Sequence, residues 1–506
     1  MEILFQTQTI KYLAEKRFDD LHQEQTGEIA IPETLPALGR VVDCFGTVLV
    51  RDRTVDSSGG SVSVSGGIQA GVLYVPEGEE GLERLELWLP FTVTKKVQAQ
   101  PNAILHYWGW LRSIDARFVN ERKLLIRADL GSELTLLTPT ELELQKVENC
   151  PRGLMCKTET FPMRLPLCAA EKEVRIADEV LMPESGPGID RLLKTQCTVE
   201  LGARRILGER AVFEGELRLR VLGMTEDGEL VSWSGTVPFS QYADLDGSMS
   251  EDADLVIQPI LNHMEIDTDG QPDSLRLLVN VSFTAQMVVW GEVPVTLTQD
   301  AYYLNGSFEP TWQTVELSPC LDSLERDLNQ SVALPEELGE LLDWTVFRDK
   351  ASASPGEDAA RANMGVNILY YDGSHKLQNR FIRQEIRIER KADPSADWRC
   401  TLGLASEPSR QGSALLLPLR VRERYCQMSA LRNLSGGSLT PEPKAEGPSL
   451  IVRAASGDLW EIARENGSTV QAIQTANELE EACLTRERLL LIPTGRGVNT
   501  LEEVVR

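Results

Sequence analysis

The sequence predicts a mainly β protein: three tandem β-sandwich-like domains followed by a small C-terminal βααβ module. Runs of Leu, Val and Ile alternate with polar residues at period two, and Asp-Gly, Gly-Gly and Pro punctuate them. Similar pieces also recur at a nearly fixed, long interval. A length of 506 residues is a prior for about three domains, and 42% hydrophobic residues leave each of them a core to bury.

The strands come first. Ser61–Ser65, Leu85–Leu89, Leu217–Val221 and Glu385–Glu389 each alternate, as expected where one sheet face is buried and the other wet. Asp227-Gly228, Asp269-Gly270 and Asp372-Gly373 lie between such runs and favour hairpin turns, because Gly takes positive φ at no cost. Gly59-Gly60 and Gly66-Gly67 are read as turns too, since no Gly-Lys-Ser/Thr follows to make a phosphate loop.

The repeat is carried by Gly66–Tyr74, Gly215–Gly223 and, more loosely, Met364–Tyr370, whose Leu73, Leu222 and Leu369 stand 149 and 147 residues apart. Leu89-Pro90-Phe91 matches Val237-Pro238-Phe239, and the third copy lacks Pro-Phe. Upstream, Ile31-Pro32-Glu33 matches Leu334-Pro335-Glu336; the middle copy is matched through Glu173–Ile176, with Ala177 in the place of proline. Solenoid units run about 20 to 50 residues, so copies this long are each expected to hold their own core. They are placed at 1–150, 151–311 and 312–433. Ser435 to Pro448 has little to bury, and 434–448 reads as a linker, part flexible and part extended.

The module occupies 449–494. Leu450-Ile451-Val452 is a strand, Gly457-Asp458 supplies a turn and an N-cap, and Leu459, Ile462 and Ala463 share one face of a first helix. Asn466-Gly467 ends that helix; Val470, Ile473 and Ala476 line a second, and Leu489–Ile492 is a strand stopped by Pro493. These anchors resemble the LysM domain. The resemblance implies a binding site at the first turn and at the loop after the second helix, here Gly457, Asp458, Leu459, Trp460, Asn477 and Leu479. The turn lacks the usual Thr before Leu459, and Glu487-Arg488 replaces the expected Gly-Gln, two departures from the glycan-binding pattern.

The β copies followed by one LysM resemble the SPOCS-domain spore-coat morphogenetic proteins of the SipL type. The residues that carry this are Val72-Leu73-Tyr74 with Leu89-Pro90-Phe91, Val221-Leu222 with Val237-Pro238-Phe239-Ser240, the Ile31-Pro32 segment and the terminal module. The resemblance implies a non-enzymatic assembly adaptor in the mother-cell cytosol, at the forespore surface. Its LysM would bind the stage IV spore coat morphogenetic ATPase, with other coat proteins as further partners. The alternative is a peptidoglycan- or N-acetylglucosamine-binding protein of the envelope.

Fifty-one Lys and Arg against 77 Asp and Glu leave a net charge of −26, which repels nucleic acid and anionic lipid. Neither is expected as a partner. Met1–Thr7 shows no signal-peptide pattern and no run reaches the length of a spanning helix, so a cytoplasmic location without membrane insertion is expected. Nine scattered cysteines read as reduced thiols. His22, His106, His263 and His375 occur singly, and Cys150 and Cys156 are spaced too widely for a zinc knuckle. Asp267-Thr268-Asp269-Gly270 has its glycine at the fourth position, not the sixth that a calcium loop needs. No catalytic residue, metal or cofactor is expected.

Overall fold

The computed structural model describes residues 3–494 apart from 79–80, 184–185, 273, 354–356, 391–396, 443–448 and 455–456. Strand dominates, as the period-two runs require. The first unit holds β1 (Leu4–Ala30), β2 (Leu38–Asp56), β3 (Ser61–Pro76), β4 (Glu83–Lys96), β5 (Ile104–Asn120) and β6 (Lys123–Asn149). The second holds β7 (Leu154–Leu181), β8 (Arg191–Leu207), β9 (Arg210–Met224), β10 (Leu230–Asp244), β11 (Asp254–Thr268) and β12 (Arg276–Tyr303). The third holds β13 (Gly306–Ala333), β14 (Leu338–Arg348), β15 (Ala359–Asp372), β16 (Leu377–Glu389), β17 (Asp397–Leu404), β18 (Ser409–Gln411) and β19 (Ala414–Pro441).

Each unit repeats one plan. An antiparallel meander (β2-β3-β4, β8-β9-β10, β14-β15-β16) accompanies a sheet built on two long strands (β1-β6-β5, β7-β12-β11, β13-β19-β17). In the first unit, Val64, Ile68, Leu89 and Phe91 of the meander meet Tyr107, Leu124, Ile126 and Leu130 of the other sheet in one core.

The registers of the three meanders correspond. Leu73 lies opposite Asp43, Leu222 opposite Lys194 and Leu369 opposite Asp343. A bulge precedes each of those partners, at Val42, Leu193 and Leu342, and these three side chains pack with the three leucines in a single cluster. Equivalent residues from all three units thus meet on an approximate threefold axis, which forms the head of the molecule. The Pro-Phe motif is explained by its partner. Phe91 lies opposite Gly66 and Phe239 opposite Gly215, where a Cβ would come within 2.8 and 2.6 Å of the ring. The third copy changes both sides together, pairing Ala362 with the smaller Ile386.

Several expectations are corrected. Gly66-Gly67 is not a turn but mid-strand in β3, kept bare by the Phe91 and Trp88 rings. The middle copy does have its proline: Met182-Pro183 follows β7 as Ile31-Pro32 follows β1 and Leu334-Pro335 follows β13, and each proline carbonyl accepts a turn N–H, from Gly186, Leu35 and Leu338. The second unit ends at Tyr303, not 311. The linker reading fails up to Pro441, because Leu434–Pro441 continues β19 against Gly306–Trp312; residues 443–448 lie outside those described. Asp372-Gly373 does form a turn, with His375 at φ +58 rather than the glycine taking the left-handed position.

The long strands, 27 or 28 residues in β1, β6, β7, β12, β13 and β19, outrun their own sheets. Their outer halves pair as three ribbons whose inward side chains, among them Ile10, Leu144, Met163, Leu165, Val295, Leu297 and Val315, share one core. This is a shaft below the head. Both crossings between units, at 149–154 and 303–306, lie at its tip.

Polar groups clamp the units to each other. On the axis, buried Lys194 Nζ lies 2.7 Å from Asp43 Oδ2, 2.6 Å from Asp343 Oδ2 and 2.6 Å from Thr345 Oγ1. Arg220 Nε donates to Asp343 Oδ1 at 2.6 Å, and Asn367 Nδ2 donates to Asp43 Oδ1. Burial alone would lower the Lys194 pKa and raise that of Asp343; their mutual attraction, with Arg220, reverses both, holding Lys194 above and Asp343 below its ordinary value. Between units one and two, the buried Gln286 amide exchanges two 2.7 Å hydrogen bonds with the Tyr107 backbone, and Arg53 bridges Gln286 and Glu171.

The module contains β20 (Leu450–Ala454), β21 (Gly457–Asp458), α1 (Leu459–Glu465), α2 (Val470–Asn477), β22 (Cys483–Leu484) and β23 (Arg488–Ile492). Leu459, Ala463, Ile473, Leu490 and Ile492 form its core. Thr469 caps α2 by accepting from Ala472 N at 3.0 Å.

Candidate functional site

The module is docked on the tip of the second unit's ribbon. The site begins with a bulge in β12 between Thr298 and Asp300, an irregularity of the kind that re-aims a side chain. Arg432 of β19 fastens it by donating to Gln299 O at 2.7 Å. Asp300 Oδ2 then accepts from Trp460 Nε1 at 2.8 Å and from Arg464 Nη1 at 2.7 Å. Two residues on, the Tyr302 ring meets Trp460 edge to face at 5.0 Å, and its hydroxyl donates to Ser468 O at 2.8 Å. Met155 and Leu304 complete the apolar seat.

Asp458 works twice. One carboxylate oxygen caps α1 through Trp460 N at 2.9 Å, and the other receives Lys157 Nζ at 2.6 Å. Burial alone would raise its pKa, but these two donors hold it below the usual carboxylate range; Lys157 is raised in turn by Asp458.

Of the six residues implied by the LysM resemblance, Asp458 and Trp460 therefore face the body of the protein. The other four serve the module itself. Gly457 pairs with Leu484 in the small β21–β22 sheet, and Leu459 is wholly buried. Asn477 ties α2 to β23, donating to Ile473 O and Leu491 O at 2.7 Å and accepting from Leu491 N at 2.8 Å. Leu479 packs against the module core.

What stays open is the outer face of the β20–β23 sheet. Ile451 lies opposite Leu491 and Arg453 opposite Leu489, and Ile451 and Leu489 are 74% and 65% exposed, with Leu450 and Leu491 partly so. Four consecutive apolar residues, Leu489–Ile492, must put two on each face of a strand, and that was the signal for this strip. The ribbon residues Lys157, Asp300 and Tyr302 had no such signal, because they lie well over a hundred residues from the module in the chain.

Asp300→Ala is expected to weaken docking by about 2 kcal/mol, the range for hydrogen bonds to a charged acceptor. A red shift of Trp460 emission and faster proteolysis between the body and the module would report it; unchanged emission would show that the apolar seat suffices.

Among the described residues no group of His, Cys, Asp and Glu is placed to hold a metal, and no helix is long and apolar enough to cross a membrane. Cys150 and Cys156 bring their sulfurs to 3.3 Å at the crossing between the first two units, and the Cys156 thiol pulls Cys150 down to about 7.

Residues 188–269, from the approach to β8 to the end of β11, match the family described as SipL, SPOCS domain. No curated protein and no solved structure matches the chain. The meander that lends Lys194, Leu222 and Phe239 to the head and core thus lies in the matched segment, and over that segment the chain carries a SPOCS domain of the SipL kind, a domain tied to sporulation.

Proposed function

We propose that the protein is a non-enzymatic spore-coat assembly adaptor acting in the mother-cell cytosol at the forespore surface. In this reading the first and third units are further SPOCS copies of β-sandwich type, and the terminal LysM-like module captures the stage IV coat ATPase. The shared strand plan and register of all three units support the first part.

The observation that carries the second part is the geometry of the module. Its Trp460 side is engaged with the ribbon, while Ile451, Leu489 and Leu491 form an exposed apolar strip facing away. Apolar side chains at the centre of an interface commonly carry most of its binding energy. Ile451→Asp with Leu489→Asp is expected to weaken capture of the ATPase by roughly a hundredfold, the loss of two anchors. Calorimetry on the full chain measures it, and circular dichroism checks that the module stays folded. Undiminished binding by the folded variant would remove this face from the proposal.

Glycan binding is the second reading, and the covered turn bears on it. Gly457–Trp460 lies against the ribbon, so chitooligosaccharide would bind the undocked Asp300→Ala protein better than the parent. Equal silence of both toward chitooligosaccharide and peptidoglycan would leave the adaptor reading alone.

A further inference from the structure

A cavity of about 600 Å³ lies on the axis between head and shaft, walled by all three units. Ten cationic side chains line it against six glutamates, an inversion of the charge balance of a chain carrying −26. Most of these cations are already matched. Arg399 clasps Glu15 at 2.7 and 2.6 Å, Lys350 holds Glu133 at 2.6 Å, Arg422 reaches Glu200 at 3.1 Å and Arg220 reaches Asp343.

Arg204, which is exposed, and Arg348, which is not, are the exceptions among the described residues; Arg348 is the one that protein partly encloses. Among the described residues it has neither hydrogen bond nor ion pair, and its guanidinium passes over Gly403, where a Cβ would sit 3.6 Å from Nη1. The repeat shows that an arginine is not needed here to build the wall. Arg348 lies opposite Met364, and the equivalent pairs are Val48 with Ile68 and Val199 with Leu217. Two copies therefore line the cavity with valine and the third with a cation. Arg348 is half-buried and lines the cavity. Burial lowers its pKa; Glu200 counters this and Arg422 adds to it, yet a guanidinium keeps its charge in any such setting.

We propose that this cavity is a binding site for a small, multiply charged oxyanion, a phosphate- or carboxylate-bearing molecule, with Arg348 as its anchor. A planar fork of N–H donors suits either group in bidentate fashion, and a ligand that brings the missing counter-charge relieves a half-buried, uncompensated cation. The volume is that of a small-molecule pocket, and Trp108, Trp110 and Trp344 in its wall offer apolar area to an organic remainder.

The test is thermal unfolding and calorimetry of the full chain in sodium phosphate and in sodium citrate, each against sodium chloride at equal ionic strength. A saturable rise in Tm is expected with the matching anion, and which of the two gives it separates phosphate from carboxylate recognition. Arg348→Gln, and Arg348→Val in imitation of the other two copies, should melt no lower than the parent in chloride and lose the anion-dependent rise. The proposal is overturned if neither anion raises Tm saturably, or if the rise persists in both variants, since it then reflects general salt stabilisation.

Discussion

Lys194→Ala is expected to destabilise the protein by about 3–5 kcal/mol, the range for removing one partner of a buried ion pair. The lysine is 2% exposed and stands between two aspartates from the two neighbouring units. Without it, Asp43 and Asp343 face each other across the axis with only Arg220 and Asn367 to answer them. Urea unfolding at neutral pH measures the loss, and a change below about 1 kcal/mol would show that the cluster relaxes through water. Replacing Asp43, Lys194 and Asp343 together by Leu, Met and Leu is expected to cost far less, because the one charge that loses a partner, Arg220, keeps Glu407 at 3.1 Å. The three equivalent positions hold Asp, Lys and Asp, and the one that differs has a use. A trimer of any one unit would set three like charges on the axis, so the cluster favours one lysine-bearing unit between two aspartate-bearing ones.

Acid should act first at His106. Burial, and then the nearby Arg53, lower its pKa to about 3, so the folded state keeps the imidazole neutral although Nε2 lies 3.7 Å from Glu171. The unfolded chain binds a proton at about pH 6.5. The folded pKa is the lower one, so the stabilising contribution is complete above pH 6.5 and drains away as the pH falls toward 3. At pH 4.5 the loss is about 3 kcal/mol. Carboxylates with lowered pKa values, such as Asp343 and Asp458, also lose their advantage in acid, so the informative quantity is a difference. His106→Gln should lose less stability than the parent between pH 7 and pH 4.5, by that amount. Parallel curves would mean that water reaches the imidazole.

The repeat was legible because its leucines sit at positions where three units touch, and packing there tolerates little change. The third copy looked degenerate for a physical reason: Ala362 and Ile386 exchange volume across β15 and β16, the pair equivalent to β9 and β10, which hold Gly215 and Phe239. The middle proline was missed because Ile176 imitated the pattern a few residues too early, inside β7. Gly436-Gly437 and the prolines after it read as a flexible tether on composition alone. Pairing with β13 overrides that preference, since strands are held by their neighbours as much as by their own residues. Of the candidate site, the helices and caps of the module could be read locally. Its seat could not, because a single aspartate on a bulge carries no pattern.

The long ribbons give the molecule a mechanical character. β19 spans 28 residues, about 90 Å at the usual rise, and leaves the tip at Pro441 beside the start of β13, with Glu442 N still bonded to Asn305 O. A load applied through the module runs along the strand axis, at right angles to the ladder bonds. Many of those bonds then share the strain in shear, where a hairpin pulled from its open end would unzip one pair at a time. A ribbon built this way carries tension to the head without letting out chain.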